Sequence, residues 1–469
     1  MPLRRLPLAL ALLASCSASA LAQEPQPIPA PPASAPAQGQ AAPAPSPLEA
    51  RLTQFREKLA ATSREKNPEE WAKLQFEIGD ALIALGQRER SIPRLEEAAS
   101  ALKVALSALT PERDARLRAL TQTALANALV DLSHKEQGKE RLAEAAALYR
   151  EAAAALSPER DRADWARAQH NLGVALMRLG DHESDVGKYE EALAATRAAL
   201  SQRLLEREPF EWAATQESLG LLYVRLYARN GDSQELRRAA DAYREALKGY
   251  GKEKNPMAWA QTQAHLGAVL LQLHAPGAGG KTADEALTHL KEALTVFTRD
   301  HAPGQWLTTM QDYAFAAQMA SASDKGVEKL DDAIAALHEV LSVTPRERAP
   351  RQWALTQASL AHALAAKGEK LGGVAELKEA VAAYRLALEE ATPAHSPAIF
   401  ASTQNNLGVA LRTLGQRESG TDSLQEASSA FEAALSVWTE EKAPGPRKAA
   451  QENLEKTKKL IEERKAAAR

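Results

Sequence analysis

Residues 275–282 read Ala-Pro-Gly-Ala-Gly-Gly-Lys-Thr, the nearest approach in this chain to a phosphate-cradling loop. Such a loop works when a strand leads into it and a helix follows, so that backbone N–H groups surround the phosphates and the lysine reaches their outer oxygens. Ala275 stands at the pattern's first glycine, and no period of two precedes it, so a turn is the expected role. The ten histidines offer metal chemistry, but none forms a His-Glu-x-x-His helix pair. His170, His265 and His362 fall at three different helical registers and read as surface or groove residues. The acidic pairs Glu190/Glu191 and Asp331/Asp332 read as solvated helix faces, because adjacent residues on a helix do not face one another. Neither a nucleophile elbow nor a triad order is recognisable. The expectation is a chain that is not an enzyme, with no catalytic residue, metal site or cofactor.

A glutamine recurs instead. Gln75, Gln122, Gln169, Gln216, Gln263, Met310, Gln357, Gln404 and Gln451 follow one another at a constant spacing of 47 residues. Met310 holds the glutamine's place in the sixth copy, because Pro303, Trp306, Leu330 and Ala333 keep the period only in that register. Self-similarity of this length marks a repeat array and takes precedence over local motifs. Counting from the glutamine as position 0, apolar or small residues stand at −4, −3, 0, +3, +4, +7 and +10, one buried helical stripe. In the last full copy these are Phe400, Ala401, Gln404, Leu407, Gly408, Leu411 and Leu414. Proline precedes most anchors by seven residues, as at Pro209 and Pro397, where a first-turn proline loses no hydrogen bond. A second helix follows from about +20, with stripes such as Leu377, Ala380, Tyr384 and Ala387. Each repeat is therefore a helical hairpin that hides its apolar face only by stacking on its neighbours. The anchor glutamine, inside the stripe, is expected to be buried and to hydrogen-bond between repeats.

Leu407-Gly408-x-x-Leu411 followed by Ala427-x3-Phe431-x2-Ala434 resembles the framework of the tetratricopeptide repeat family. The likeness recurs through residues 48 to about 460, as a bacterial variant whose period is 47 where the family has 34. Glutamine occupies the family's tryptophan position, and a tryptophan sits one turn earlier at Trp71, Trp165, Trp212, Trp259, Trp306 and Trp353. The resemblance implies an all-α fold, an α-solenoid coiled as a right-handed superhelix, and a role in binding proteins or peptides. The family's carboxylate clamp needs Lys and Asn at places that hold Thr123/Asn127, His170/Val174 and Glu217/Leu221 here, so that clamp is not expected.

The expected organisation is a signal peptide over 1–22, a Pro/Ala-rich disordered linker over 23–47, a leading helix over 48–67, eight repeats over 68–443, and a capping helix over 444–469. Arg4 and Arg5, then an apolar run, then Ala20-Leu21-Ala22 fit an export signal cut before Gln23. Leu13-Ala14-Ser15-Cys16 equally resembles a lipobox, with Cys16 as a lipidation site, and the two routes stay open. Cys16 is the only cysteine, so cleavage at Gln23 removes all thiol chemistry from the mature chain. It also leaves 56 basic residues against 61 acidic ones with no basic block, which argues against nucleic acid as a partner. Membrane attachment is expected only through Cys16. The expected location is the periplasm, or the periplasmic face of the outer membrane for a lipoprotein.

Positions −2, +2, +5 and +9 of the first helix are expected to point away from the stripe. Arg167, Asn171 and Arg178, then Ser218 and Arg225, then Gln261, His265 and Gln272 occupy them in three neighbouring repeats. They form the candidate partner-binding face, mildly basic and suited to an acidic or extended peptide. The functional expectation is an exported scaffold. The rival readings are a lipid-anchored structural member of an envelope complex and an enzyme with an unrecognised site.

Overall fold

The computed structural model describes residues 46–133, 138–274 and 281–467. The expected signal peptide, Cys16 and nearly all of the expected linker lie outside the described residues, as does most of the phosphate-loop-like stretch. Eighteen α-helices make up the regular structure of the described residues, and the chain is all-α. It divides into two compact units, one over Pro29–Gly251 and one whose described part begins at Lys252. The first holds a lone helix, α1 (Pro47–Ala61), and four hairpins: α2 (Pro68–Glu89) with α3 (Ile92–Leu106), α4 (Pro111–Ser133) with α5 (Lys139–Ala155), α6 (Arg162–Glu183) with α7 (Val186–Gln202), and α8 (Pro209–Asn230) with α9 (Ser233–Gly249). The second holds α10 (Pro256–Leu273) with α11 (Lys281–Leu294), α12 (Pro303–Ser321) with α13 (Glu328–Val343), α14 (Pro350–Leu371) with α15 (Ala375–Glu390), α16 (Pro397–Arg417) with α17 (Asp422–Val437), and then α18 (Pro444–Ala467) alone.

The period is visible in the backbone. Six first helices begin on a proline seven residues before the anchor, each after a residue near φ −140° and ψ 60°, such as Asn67, Asn255 and Ser396. Pro111 opens α4 four residues too early for this register. Asp114 reconciles the two: its φ of −123° and ψ of 33° interrupt the helix and match Asp161, the N-cap of α6 at φ −111° and ψ 34°. The helix proper thus starts at Ala115, with one extra turn ahead of it.

Within a hairpin the two helices close on a glycine at +4 and the residue at +27. A Cβ on Gly220 would stand 2.5 Å from Tyr243 Cε1, and one on Gly408 would stand 2.7 Å from Phe431 Cε1. Only glycine lets the backbone lie against the ring at these places. Successive hairpins then share their cores. Ala119, Ala152, Leu156 and Ala168 from α4, α5 and α6 and the segment after α5 form one cluster, and Ala361, Tyr384, Leu407 and Phe431 from α14 to α17 form another.

Two expectations about the stripe need correction. The tryptophans at −4 are only half-buried except for Trp306, because the first turn lies at the hairpin's edge. A cation seven residues earlier covers four of them: Arg64 lies 4.8 Å from the Trp71 ring, Lys252 4.9 Å from Trp259, Arg299 5.4 Å from Trp306 and Arg346 5.1 Å from Trp353. At Trp71, Trp259 and Trp353 this arrangement satisfies the ring quadrupole without burying the ring. The anchor glutamines do not tie repeats together where their bonds are seen. Gln122 donates to Glu151 at 2.6 Å, and Gln263 pairs with His289 at 2.5 Å, both across their own hairpin. Position 0 faces the second helix of the same repeat, which is why those bonds stay inside it.

Candidate functional site

The eight residues expected to meet a partner are divided between the two units. Arg167, Asn171 and Arg178 lie on α6 and Ser218 and Arg225 on α8, all in the first unit. Gln261, His265 and Gln272 lie on α10, in the second. Arg167 binds Asp164 at 2.7 Å, and Arg225 binds Asp181 at 3.0 Å with only 16% of its side chain exposed. Arg178 is engaged as well. Gln261 and His265 bond each other at 2.8 Å, while Gln272 Nε2 is buried with no partner among the described residues. Ser218 is buried, and its hydroxyl donates to Ala214 O in its own helix. The reason is geometric. First helices of successive repeats pack side by side, and position +2 lies in that seam, where Ala124, Ser218, Asp312, Ser359 and Asn406 are all buried.

Some polar residues of this face hold neighbouring repeats together. Asn171 at +2 donates to Asn127 at +5 of the preceding repeat, 2.9 Å away. Gln87 at +12 donates to Asp131 at +9 of the following repeat, 2.7 Å away, and Arg225 and Asp181 repeat the same +9/+12 pairing with donor and acceptor exchanged. At three junctions of the second unit a cation at +13 closes the contact from the end. Lys370 donates to Ser321 O at 2.8 Å and to Asp324 O, Arg417 donates to Gly368 O at 3.0 Å and Gly373 O at 2.6 Å, and Arg464 donates to Gly420 O. Each cation thereby meets carbonyls at the negative dipole end of the first helix, or of the turn after it, in the repeat before.

One part of the first-helix face is built differently. Between α14, α15 and α16 lies a cavity of about 40 Å³ whose walls include His362, Glu369, Tyr384, Asn406 and Thr413. Burial pushes the His362 imidazole down to about 4 and the Tyr384 phenol well up, so both stay uncharged near neutrality. Burial also raises the Glu369 carboxyl, an effect opposed by Arg417 and Arg412. Arg412 itself is pushed down by burial, donates to Asn453 at 2.9 Å and lies 6.0 Å from the Phe431 ring. A second buried cluster lies in the other unit. Arg203 donates to Glu211 O at 2.7 Å and to Thr215 Oγ1, which stands 3.4 Å from His170 Nδ1. Burial, and then the Arg203 charge, hold His170 down at about 3. The pattern at α14–α16 supplies hydrogen-bonding groups rather than an activated nucleophile.

Sequence reasoning placed His362 among ordinary groove residues and passed over Tyr384 and Asn406 as cavity walls. The signal that finds them is a trio of registers, +5 and +27 of one repeat with +2 of the next. Asn127, Tyr149 and Asn171 fill it in the first unit, and His362, Tyr384 and Asn406 fill it in the second.

No protein-family model matches the chain, and no curated protein matches it. Among solved structures it is similar to a tetratricopeptide repeat protein from Parabacteroides merdae ATCC 43184, at 18% identity over 71% of this chain and 98% of that one, with a TM-score of 0.34. It is also similar to the APC/C hetero-tetramer Cut9-Hcn1, at 14% identity over 87% and 95% with a TM-score of 0.31. The P58(IPK) TPR domain aligns at 14% identity over 89% and 99%, with a TM-score of 0.24.

Proposed function

We propose that this chain is an exported, non-enzymatic scaffold of tetratricopeptide-like hairpins that holds another protein or peptide in a bacterial cell envelope. The observation that carries the reading is the cavity at α14–α16, where the first-helix face presents hydrogen-bonding groups around a space instead of spending them on the next repeat. Elsewhere on that face the paired residues leave less to recognise. A segment laid along α14 and α16 meets this cavity between two neighbouring repeats. A photo-crosslinking residue at Ala366, on the cavity wall, is expected to capture one protein in native envelopes, with none captured from an exposed control position such as Asp241 on α9. Equal capture from both positions overturns the reading.

The export part rests on the N-terminal sequence. A free Gln23 on the mature protein supports ordinary cleavage, and an acylated Cys16 supports a lipid-anchored member of an envelope complex. Cytosolic protein that keeps Met1 overturns both.

A further inference from the structure

The trio at +5, +27 and next-repeat +2 exists in two forms, and their difference is informative. In the first unit it is closed: the Tyr149 hydroxyl donates to Asn127 Oδ1 at 2.6 Å, and Asn171 Nδ2 donates to the same oxygen at 2.9 Å. In the second unit the corresponding residues are His362, Tyr384 and Asn406, and all three line the cavity of about 40 Å³. A single water site needs roughly 10–15 Å³ by this measure, so the cavity accepts two or three heavy atoms. That is the size of a hydroxymethyl or hydroxyethyl group.

The charge pattern narrows the chemistry. His362 and Tyr384 each carry both a donor and an acceptor in their uncharged forms, and the Asn406 amide carries both. An entering carboxylate meets Glu369 on the wall, while the nearby cations Arg412 and Arg417 already act on that carboxyl. An entering ammonium loses its water to groups that are neutral apart from Glu369, whose charge those two cations offset. A hydroxyl loses little on entry and finds both kinds of partner. Ala365, Ala366, Leu377, Val409 and Ala410 form the apolar part of the wall, suited to a methylene or methyl group.

We propose that the cavity between α14, α15 and α16 is a socket for the hydroxyl-bearing tip of a serine or threonine side chain on a bound polypeptide. The polypeptide part rests on the scaffold reading; the socket chemistry stands on the cavity itself. The test uses the full chain with labelled methyl groups, titrated with N-acetyl-threonine-N-methylamide and with its valine isostere. The Thr413 and Ala410 methyl resonances are expected to shift saturably with the threonine compound, at least roughly fivefold tighter than with valine, since a site that hydrogen-bonds a hydroxyl rejects the analogue lacking it. His362→Phe is expected to abolish the preference. Ala366→Leu, which fills the cavity from its half-exposed wall, is expected to abolish both titrations and serves if His362→Phe lowers the melting temperature. Equal response to both compounds, no saturation with either, or stronger shifts with acetate or methylammonium overturns the socket. Capture from Ala366 without threonine preference overturns the socket and leaves the scaffold. Threonine preference without capture keeps the socket and overturns the scaffold.

Discussion

His170 and His362 are the residues through which pH acts most directly on stability. Their folded values, about 3 and about 4, lie below the ordinary 6.5. The unfolded chain therefore binds more protons than the native one between those limits. Stability contributed by each histidine is complete above about pH 6.5 and falls by up to roughly 1.4 kcal/mol per pH unit as the solution is acidified toward the folded value. Thermal melts from pH 7 to pH 4 are expected to show this loss, and His362→Asn is expected to flatten the profile relative to the parent. An unchanged slope in that variant would place the acid sensitivity elsewhere. Neither histidine's burial was legible from its own register. His170 is held by Arg203 and Thr215, two residues from later elements, and His362 by the meeting of three helices. Periodicity along one helix carries no information about a neighbour's side chain, which is why the same positions read as groove surface in the sequence.

At the scale of helices, the repeat period showed which segments pair and where each begins, because apolar spacing and first-turn prolines are written into single segments. It also exposed Asp114 as a cap hidden inside α4, once the structure supplied its dihedrals. The contacts between repeats were less legible. A buried glutamine suggested a tie between neighbours, yet Gln122 and Gln263 bond within their hairpins, and the ties run through +2, +5, +9, +12 and +13. Those residues vary in type, so an asparagine pair, an amide with a carboxylate and an arginine with a carboxylate perform related tasks under different letters. The +13 cation is the testable member. Arg417→Met keeps the length of the stem and removes the charge, leaving the carbonyls of Gly368 and Gly373 without that donor. It is expected to destabilise by about 1–3 kcal/mol in denaturant titration. Arg417→Lys is expected to restore most of the loss, since Lys370 does the same work one repeat earlier. No change with methionine would show that water serves those carbonyls equally well.

For the molecule as a whole, hairpin architecture followed from a number, 47, while the socket required knowing which parts of three helices converge. Forming the hairpin demands only apolar spacing and a few glycines; the proposed socket depends on the side chains that meet at one junction. The +13 cation has a further consequence for how such a chain can grow. Its donor sits on one repeat and its acceptors on the repeat before, so a copied module arrives with a fastener for its predecessor and a receptacle for its successor. In-frame duplication of 47 residues therefore adds no unmatched end, whereas an insertion that is not a multiple of 47 separates the fastener at that junction from its receptacle. A chain with residues 350–396 duplicated after position 396 is expected to melt within a few degrees of the parent and to gain helical signal. One lengthened there by 34 residues of the same segment is expected to melt well below it. Where the +13 cation is present, the array thus lengthens without loss only in whole modules, because its partners are the carbonyls at the end of the helix before.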